Sequence, residues 1–215
     1  MLHIRQMNFD TVGLEIKQDE PARRFWAGSG PILVEQSIIT PTDYAYDLRA
    51  PDKFRQVMLD KAKDMGSALL QCAFLDIQGL DAVRLLNKFW SSPATDDLGK
   101  DYNGALVFPL AEGCFFIRVA AREQGMTGVR EAMVAAILHK QGKLELPKSV
   151  PPADASIGLG ASIRKHALVP APSDDEQYDA DFPEHPLTRV RRMFKHIENT
   201  LTIAPELKTA KPYRV

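Results

Sequence analysis

Five histidines, two cysteines and scattered carboxylates are the groups in this 215-residue chain that could do chemistry. His3, His139, His166, His185 and His196 make no H-x-x-x-H pair and no HExxH motif, and no Cys-x-x-Cys joins them, so neither a metal nor any other cofactor is expected. A G-x-S-x-G nucleophile elbow is absent too, and no catalytic residue is assigned. Gly28-Ser29-Gly30 could offer backbone amides to a phosphate, but Pro31 opens a strand-like run, Ile32 to Ile39, where a nucleotide loop needs a helix; a plain turn is expected. One cluster remains. Glu123 and Glu131 flank the turn Gly125 to Gly128, with Arg122 and Arg130 beside them. Such a quartet can bind an anion or hold a proton donor, and it can equally form the salt bridges that pin a strand end to a helix start. These four residues are the candidate binding site.

The elements that would position them are legible around the cluster. Ala105 to Leu110 and Cys114 to Ala121 are apolar or β-branched runs separated by Ala111-Glu112-Gly113, which predicts an antiparallel hairpin. In the second run Phe115, Ile117, Val119 and Ala121 share one face, the expected core face. Thr127 can cap a following helix, whose stripe Val129, Ala132, Met133, Ala136 and Ile137 should lie across the sheet. Upstream, Pro51 to Met65 reads as a second helix with Phe54, Val57, Met58, Ala62 and Met65 on one side and Gly66 at its end. Two further strands are expected over Ala68 to Ile77 and Ala82 to Trp90, and Leu2 to Phe9 with Val12 to Lys17 as short strands. Asp43 to Asp47 reads as a loop or ragged edge. Strands that follow one another through short loops pair antiparallel. The predicted fold is therefore α+β: a mainly antiparallel sheet covered by helices, a sandwich body over residues 1–142.

Composition narrows the function classes. With 45% hydrophobic residues the chain can bury a sizeable core, and a formal net charge of −1 argues against a nucleic-acid binder. No run approaches the roughly 18 apolar residues of a membrane span, and no charged start followed by an apolar run marks a signal peptide, so a cytoplasmic protein without membrane insertion is expected. Cys72 and Cys114, both inside predicted strands, read as small buried hydrophobes, with a disulfide between neighbouring strands as the alternative.

The helix at Pro51 to Met65, the strands around Gln71 to Trp90, the hairpin Gly104 to Glu123 and the helix from Thr127 together resemble the PsbP-like superfamily, which includes DcrB-type proteins. That resemblance covers about two thirds of the chain and carries no catalytic signature; it implies a sandwich used as a binding platform.

Residues 143–215 form an expected extended arm. Prolines 147, 151, 152, 170 and 172 break its first part, which should run over the body. The acids Asp174, Asp175, Glu176, Asp179, Asp181 and Glu184 follow, without the interleaved spacing and glycine of a calcium loop. An amphipathic helix over about 186–202 then shows Leu187, Val190, Phe194, Ile197 and Leu201 on one face, a face that can dock on the body, on another protein or on a second copy of the chain. The sequence thus points to a non-catalytic binding, adaptor or chaperone-like protein using the sheet face or this helix. The alternative is a small-molecule-binding protein or hydrolytic enzyme with its site near the 122–131 turn.

Overall fold

Alternating apolar residues and tight turns build the sheet from its centre outward. The computed structural model describes residues 2–40, 48–91, 99–145, 168–211 and 213. β7 (Lys100–Leu110) and β8 (Gly113–Arg122) pair antiparallel, with Leu110 opposite Gly113 across a two-residue turn. β6 (Leu80–Trp90) and β5 (Ala68–Ile77) extend the sheet on one side, and β4 (Ile32–Ile39), β3 (Arg23–Ala27) and β2 (Glu15–Glu20) extend it on the other. The order is β2-β3-β4-β8-β7-β6-β5, antiparallel at every junction. The expected α+β sandwich is what forms. Gly28 to Pro31 is a turn between β3 and β4, as its proline requires. Leu2 to Phe9 is mostly not strand: a 3-10 turn (Ile4–Gln6) leads into β1 (Met7–Asn8), which pairs with β9 (Thr202–Ile203) near the other end of the chain.

The two faces of the sheet carry different helices. α1 (Pro51–Asp64) lays Phe54, Met58 and Ala62 on Leu69, Val83 and Leu85 of β5 and β6. Gly66, at φ 63°, supplies the left-handed residue that ends it, while Met65 is exposed. On the opposite face lies α3 (Pro186–Thr200), reached after α2 (Val129–Lys140) and before a last short turn of helix, α4 (Pro205–Lys208). Leu187, Val190, Phe194 and Ile197 of α3, and Leu201 just past it, are at most 2% exposed and share one core with Leu86, Leu106, Phe108, Phe115, Ile117 and Val119. The helix face considered for a partner is therefore filled by the chain's own sheet. Gly104 explains how closely it sits: a Cβ there would stand 2.0 Å from Cε2 of Phe194. The aromatic ring occupies the place of the missing side chain.

α2 departs from expectation. Its predicted sheet-facing residues Val129, Met133 and Ile137 are exposed, and it turns Arg130 and Val134 inward instead, against the 3-10 turn Pro172–Asp174. Thr127 does not cap it; the N-cap is Gly128 at φ 74°, with no side-chain bond. A buried arginine with good partners outweighs an apolar stripe, since stranding its charge would cost more than exposing three apolar side chains. The loop expected at Asp43 to Asp47 and most of the proline-broken stretch after Lys143 lie outside the described residues.

The cysteines stand apart. Cys72 on β5 and Cys114 on β8 are separated by β6 and β7, and three strand spacings of roughly 4.8 Å exceed the reach of a disulfide. The disulfide alternative is thereby removed.

Candidate functional site

The turn between β8 and α2 reverses the chain through Gly125 (φ 72°) and Gly128 (φ 74°), a conformation that residues with a Cβ rarely adopt. The reversal brings Glu123 and Glu131 together. Lys100, at the start of β7, holds both: its Nζ lies 2.6 Å from Oε1 of Glu131 and 3.7 Å from Oε2 of Glu123, and its backbone N–H donates to the same Glu123 oxygen at 2.9 Å. His185, the N-cap of α3, places Nε2 3.4 Å from Oε1 of Glu123 without forming a hydrogen bond. Tyr102, fully buried, meets the His185 ring edge-on at 5.3 Å.

The quartet read from sequence divides three ways. Glu123 and Glu131 face this chamber. Arg122 turns outward to clasp Asp101 with two bonds of 2.7 and 2.9 Å. Arg130 points the other way, into the arm. Sequence reading missed Lys100, Tyr102 and His185. The signal for two of them was available, because Lys100 and Tyr102 share strand parity with Leu106 and Phe108, and a cation and a phenol on a core face require partners.

Electrostatics act on Glu131 and on the Tyr102 phenol in opposite directions. Burial alone would push the Glu131 carboxyl up, but the hydrogen bond and charge of Lys100 outweigh it and hold the group below its ordinary value. Burial drives the Tyr102 phenol far above its usual range, reinforced by the charges of Glu131, Glu123 and Asp174. Oη of Tyr102, Oε2 of Glu131 and Nε2 of His185 are buried without a hydrogen-bond partner among the described residues. The chamber adjoins a cleft of about 450 Å³ lined by Glu123, His185, Arg122, Arg130, Phe182 and Arg189, among others.

Glu123, Glu131 and His185 bring ligand atoms within 4.8 Å of one another, the spacing of a metal site. Two features oppose a cation. Lys100 already neutralises Glu131. In addition the backbone N–H of Leu187 donates to Nδ1 of His185 at 3.2 Å, so Nδ1 is the acceptor and the ring proton sits on Nε2, which then has no lone pair for a metal. The same commitment removes His185 as a general base, since its one basic nitrogen caps α3. What the chamber can do is hydrogen-bond a small guest that accepts from Nε2 and donates to Glu131.

Arg130 organises the second cluster. Only 1% exposed, it donates to the carbonyls of Ser173 (2.6 Å) and Asp175 (2.9 Å), the hydroxyl of Thr188 (2.8 Å) and the carboxylate of Asp179 (2.8 Å), and its guanidinium lies 5.7 Å from the Phe182 ring. Arg191 reaches the same Asp179 and the carbonyl of Asp174, whose carboxylate forms a buried pair with Lys88 at 2.6 Å. The acidic run is thus a set of anchors, not a calcium loop: Asp174, Asp179 and Glu184 each face a basic side chain.

A further concave surface lies on the α1 face of the sheet. Beside α1, Met58, Met65, Leu69, Phe89 and Phe116 make the apolar walls of a groove of about 470 Å³, with Lys61 and Arg118 also lining it.

No family model matches the chain, and no curated protein matches it either. Among solved structures it is similar to the Ran-binding protein Mog1p of Saccharomyces cerevisiae at a TM-score of 0.42 and 9% identity, over 89% of this chain and 84% of that one. A mutant of Mog1 gives a TM-score of 0.40 at 10% identity, over 89% and 85%. Likeness at that level assigns no function.

Proposed function

We propose that this is a non-catalytic binding or adaptor protein that receives a segment of another protein in the groove beside α1. The observation that carries the reading is the groove's chemistry: walls of Met58, Met65, Leu69, Phe89 and Phe116, suited to a segment bearing apolar side chains, with Arg118, held by Asn103 and Glu35, as a polar margin. Among the described residues no helix is long and apolar enough to cross a membrane, and two cysteines held too far apart to form a disulfide with one another support a reducing, cytoplasmic setting. Kinship with the PsbP-like superfamily belongs to the same proposal and is supported by the order of helix, four strands and helix.

Capture from extracts of the native source tests it, with the wild type beside Met65→Asp, at an exposed position, and Arg118→Glu, at a half-buried one beside Glu35. A protein recovered by the wild type and lost with both variants, at unchanged circular dichroism, is the expected result. Equal recovery by all three, or none by any, overturns the groove as the binding surface.

A second reading rests on the three buried atoms without partners around His185. A small neutral guest with a hydroxyl group could accept from Nε2 and donate to Oε2 of Glu131. Saturable perturbation of the His185 ring resonances by a library of polyols and amides, abolished by Glu131→Gln, would support this reading over the groove.

A further inference from the structure

The two edges of the sheet are built differently. β2, at one edge, is a six-residue strand of sequence EIKQDE, charged, exposed and irregular between Ile16 and Gln18, all devices that block pairing with another chain. β5, at the other edge, is ten residues long, ALLQCAFLDI, with a single charge and no proline. Its own irregularity lies near its start, between Leu69 and Gln71, and leaves the stretch from Cys72 to Ile77 in regular register with β6 and without a protecting charge run.

The turn that follows determines which of its backbone groups are open. Ile77 stands opposite Leu80, and the intervening Gln78 and Gly79 both have positive φ (55° and 88°), the signature of a two-residue type I′ hairpin whose flanking pair is hydrogen-bonded. Hydrogen-bonding direction alternates along a strand. Ile77, Leu75 and Ala73 therefore address β6, whereas Asp76, Phe74 and Cys72 turn their N–H and C=O groups outward, where they find no partner among the described residues.

We infer that β5 pairs antiparallel with β5 of a second copy of this chain, around a two-fold axis at Phe74 and perpendicular to the sheet. The spacing of the outward groups selects the register. With Phe74 opposite Phe74, Cys72 falls opposite Asp76 and Asp76 opposite Cys72, so every outward N–H and C=O of these three residues is satisfied by the same operation. Charge is compatible as well: the only ionised side chain of the strand, Asp76, faces a neutral cysteine in the other copy. An axis perpendicular to the sheet keeps both α1 helices on one face, where the edge-on pair of Phe54 and Phe74, 5.5 Å between centroids, meets its own duplicate. This inference uses a surface other than the groove and stands or falls separately from it.

The test is a covalent trap with a backbone control. Hydrogen-bonded antiparallel pairs hold Cα atoms about 5.5 Å apart, within disulfide range. Asp76→Cys should therefore oxidise to a species of twice the 24.0 kDa chain mass, and adding Cys72→Ser should abolish it. Cys114, fully buried on β8, does not compete. Light scattering should give a dimer for the wild type and a monomer for Cys72→Pro, which removes one outward donor and no bond to β6. If Cys72→Pro fails to fold, the trap alone decides. A monomeric wild type, or a dimer that neither forms the disulfide nor responds to Cys72→Pro, overturns the proposal.

Discussion

Arg130 shows how one residue can decide the course of an element. Its guanidinium meets acceptors from Ser173, Asp175, Asp179 and Thr188, so removal would strand two carbonyls in a buried site and leave the Asp179 carboxylate to Arg191 and Thr188 alone. Arg130→Leu should cost about 3–5 kcal/mol, the usual loss when one partner of a buried charge network is deleted, read as a lowered urea midpoint. Arg130→Lys should recover little of it, because an ammonium lacks the planar fork that spans these acceptors. Glu131 carries a pH signature. Lys100 holds its folded-state pKa below the ordinary 4.5, so its contribution to stability is fully present above that value and is lost as pH falls through the lowered folded value. Glu131→Gln should therefore destabilise the protein at pH 7, and the difference from wild type should shrink at pH 3. A difference of equal size at both pH values would mean that packing, not charge, underlies the effect.

At the scale of elements, the docking of α3 hinges on the contact between Gly104 and Phe194. A methyl at Gly104 would meet Cε2 and Cζ of Phe194 at 2.0 and 2.4 Å, and a ring clamped in the core has nowhere to swing. Gly104→Ala should cost about 1–3 kcal/mol, as overpacking does. In a Phe194→Leu background the same change should be neutral or stabilising, because the clash is gone and alanine restricts the unfolded chain. Urea unfolding of the four proteins in that cycle measures the coupling; additive effects would show that the two residues do not meet. What was legible in the sequence follows the same physics. Phe115, Ile117, Val119 and Ala121 announced the core face of β8 because strict alternation has one meaning on a strand. The stripe of α2 misled because Val129, Met133 and Ile137 obey helical spacing whether buried or not, and only Arg130's distant partners reveal which side turns inward. Glu123 and Glu131 were recognisable as a pair across a turn, whereas Lys100 and His185 join them through contacts between residues far apart in the chain, which no local pattern encodes.

For the whole molecule, the arm and the sheet share one core, and that governs how function can be dissected. Leu187, Val190, Met193, Phe194 and Ile197 of α3 are at most 8% exposed in the same cluster as β6, β7 and β8, and Met7 is sealed there by the pairing of β1 with β9. Burying five such side chains contributes on the order of 10 kcal/mol at about 2 kcal/mol each, comparable to the entire net stability of a domain, roughly 5–15 kcal/mol. Residues 1–142 alone would leave Leu106, Phe108, Phe115 and Ile117 facing water with no helix over them. That truncated chain should lose its cooperative urea transition and bind a hydrophobic dye, or aggregate, while the full chain unfolds in one step. A cooperative transition in the truncated chain would mean that α3 is an accessory to the sheet and that its face can be released to a partner. The expected outcome makes truncation unsuitable for locating binding: loss of a partner would then report loss of the core. Point changes on the open surfaces, at Arg118 for the groove and Cys72 for the edge strand, separate the two because neither belongs to the core that α3 closes.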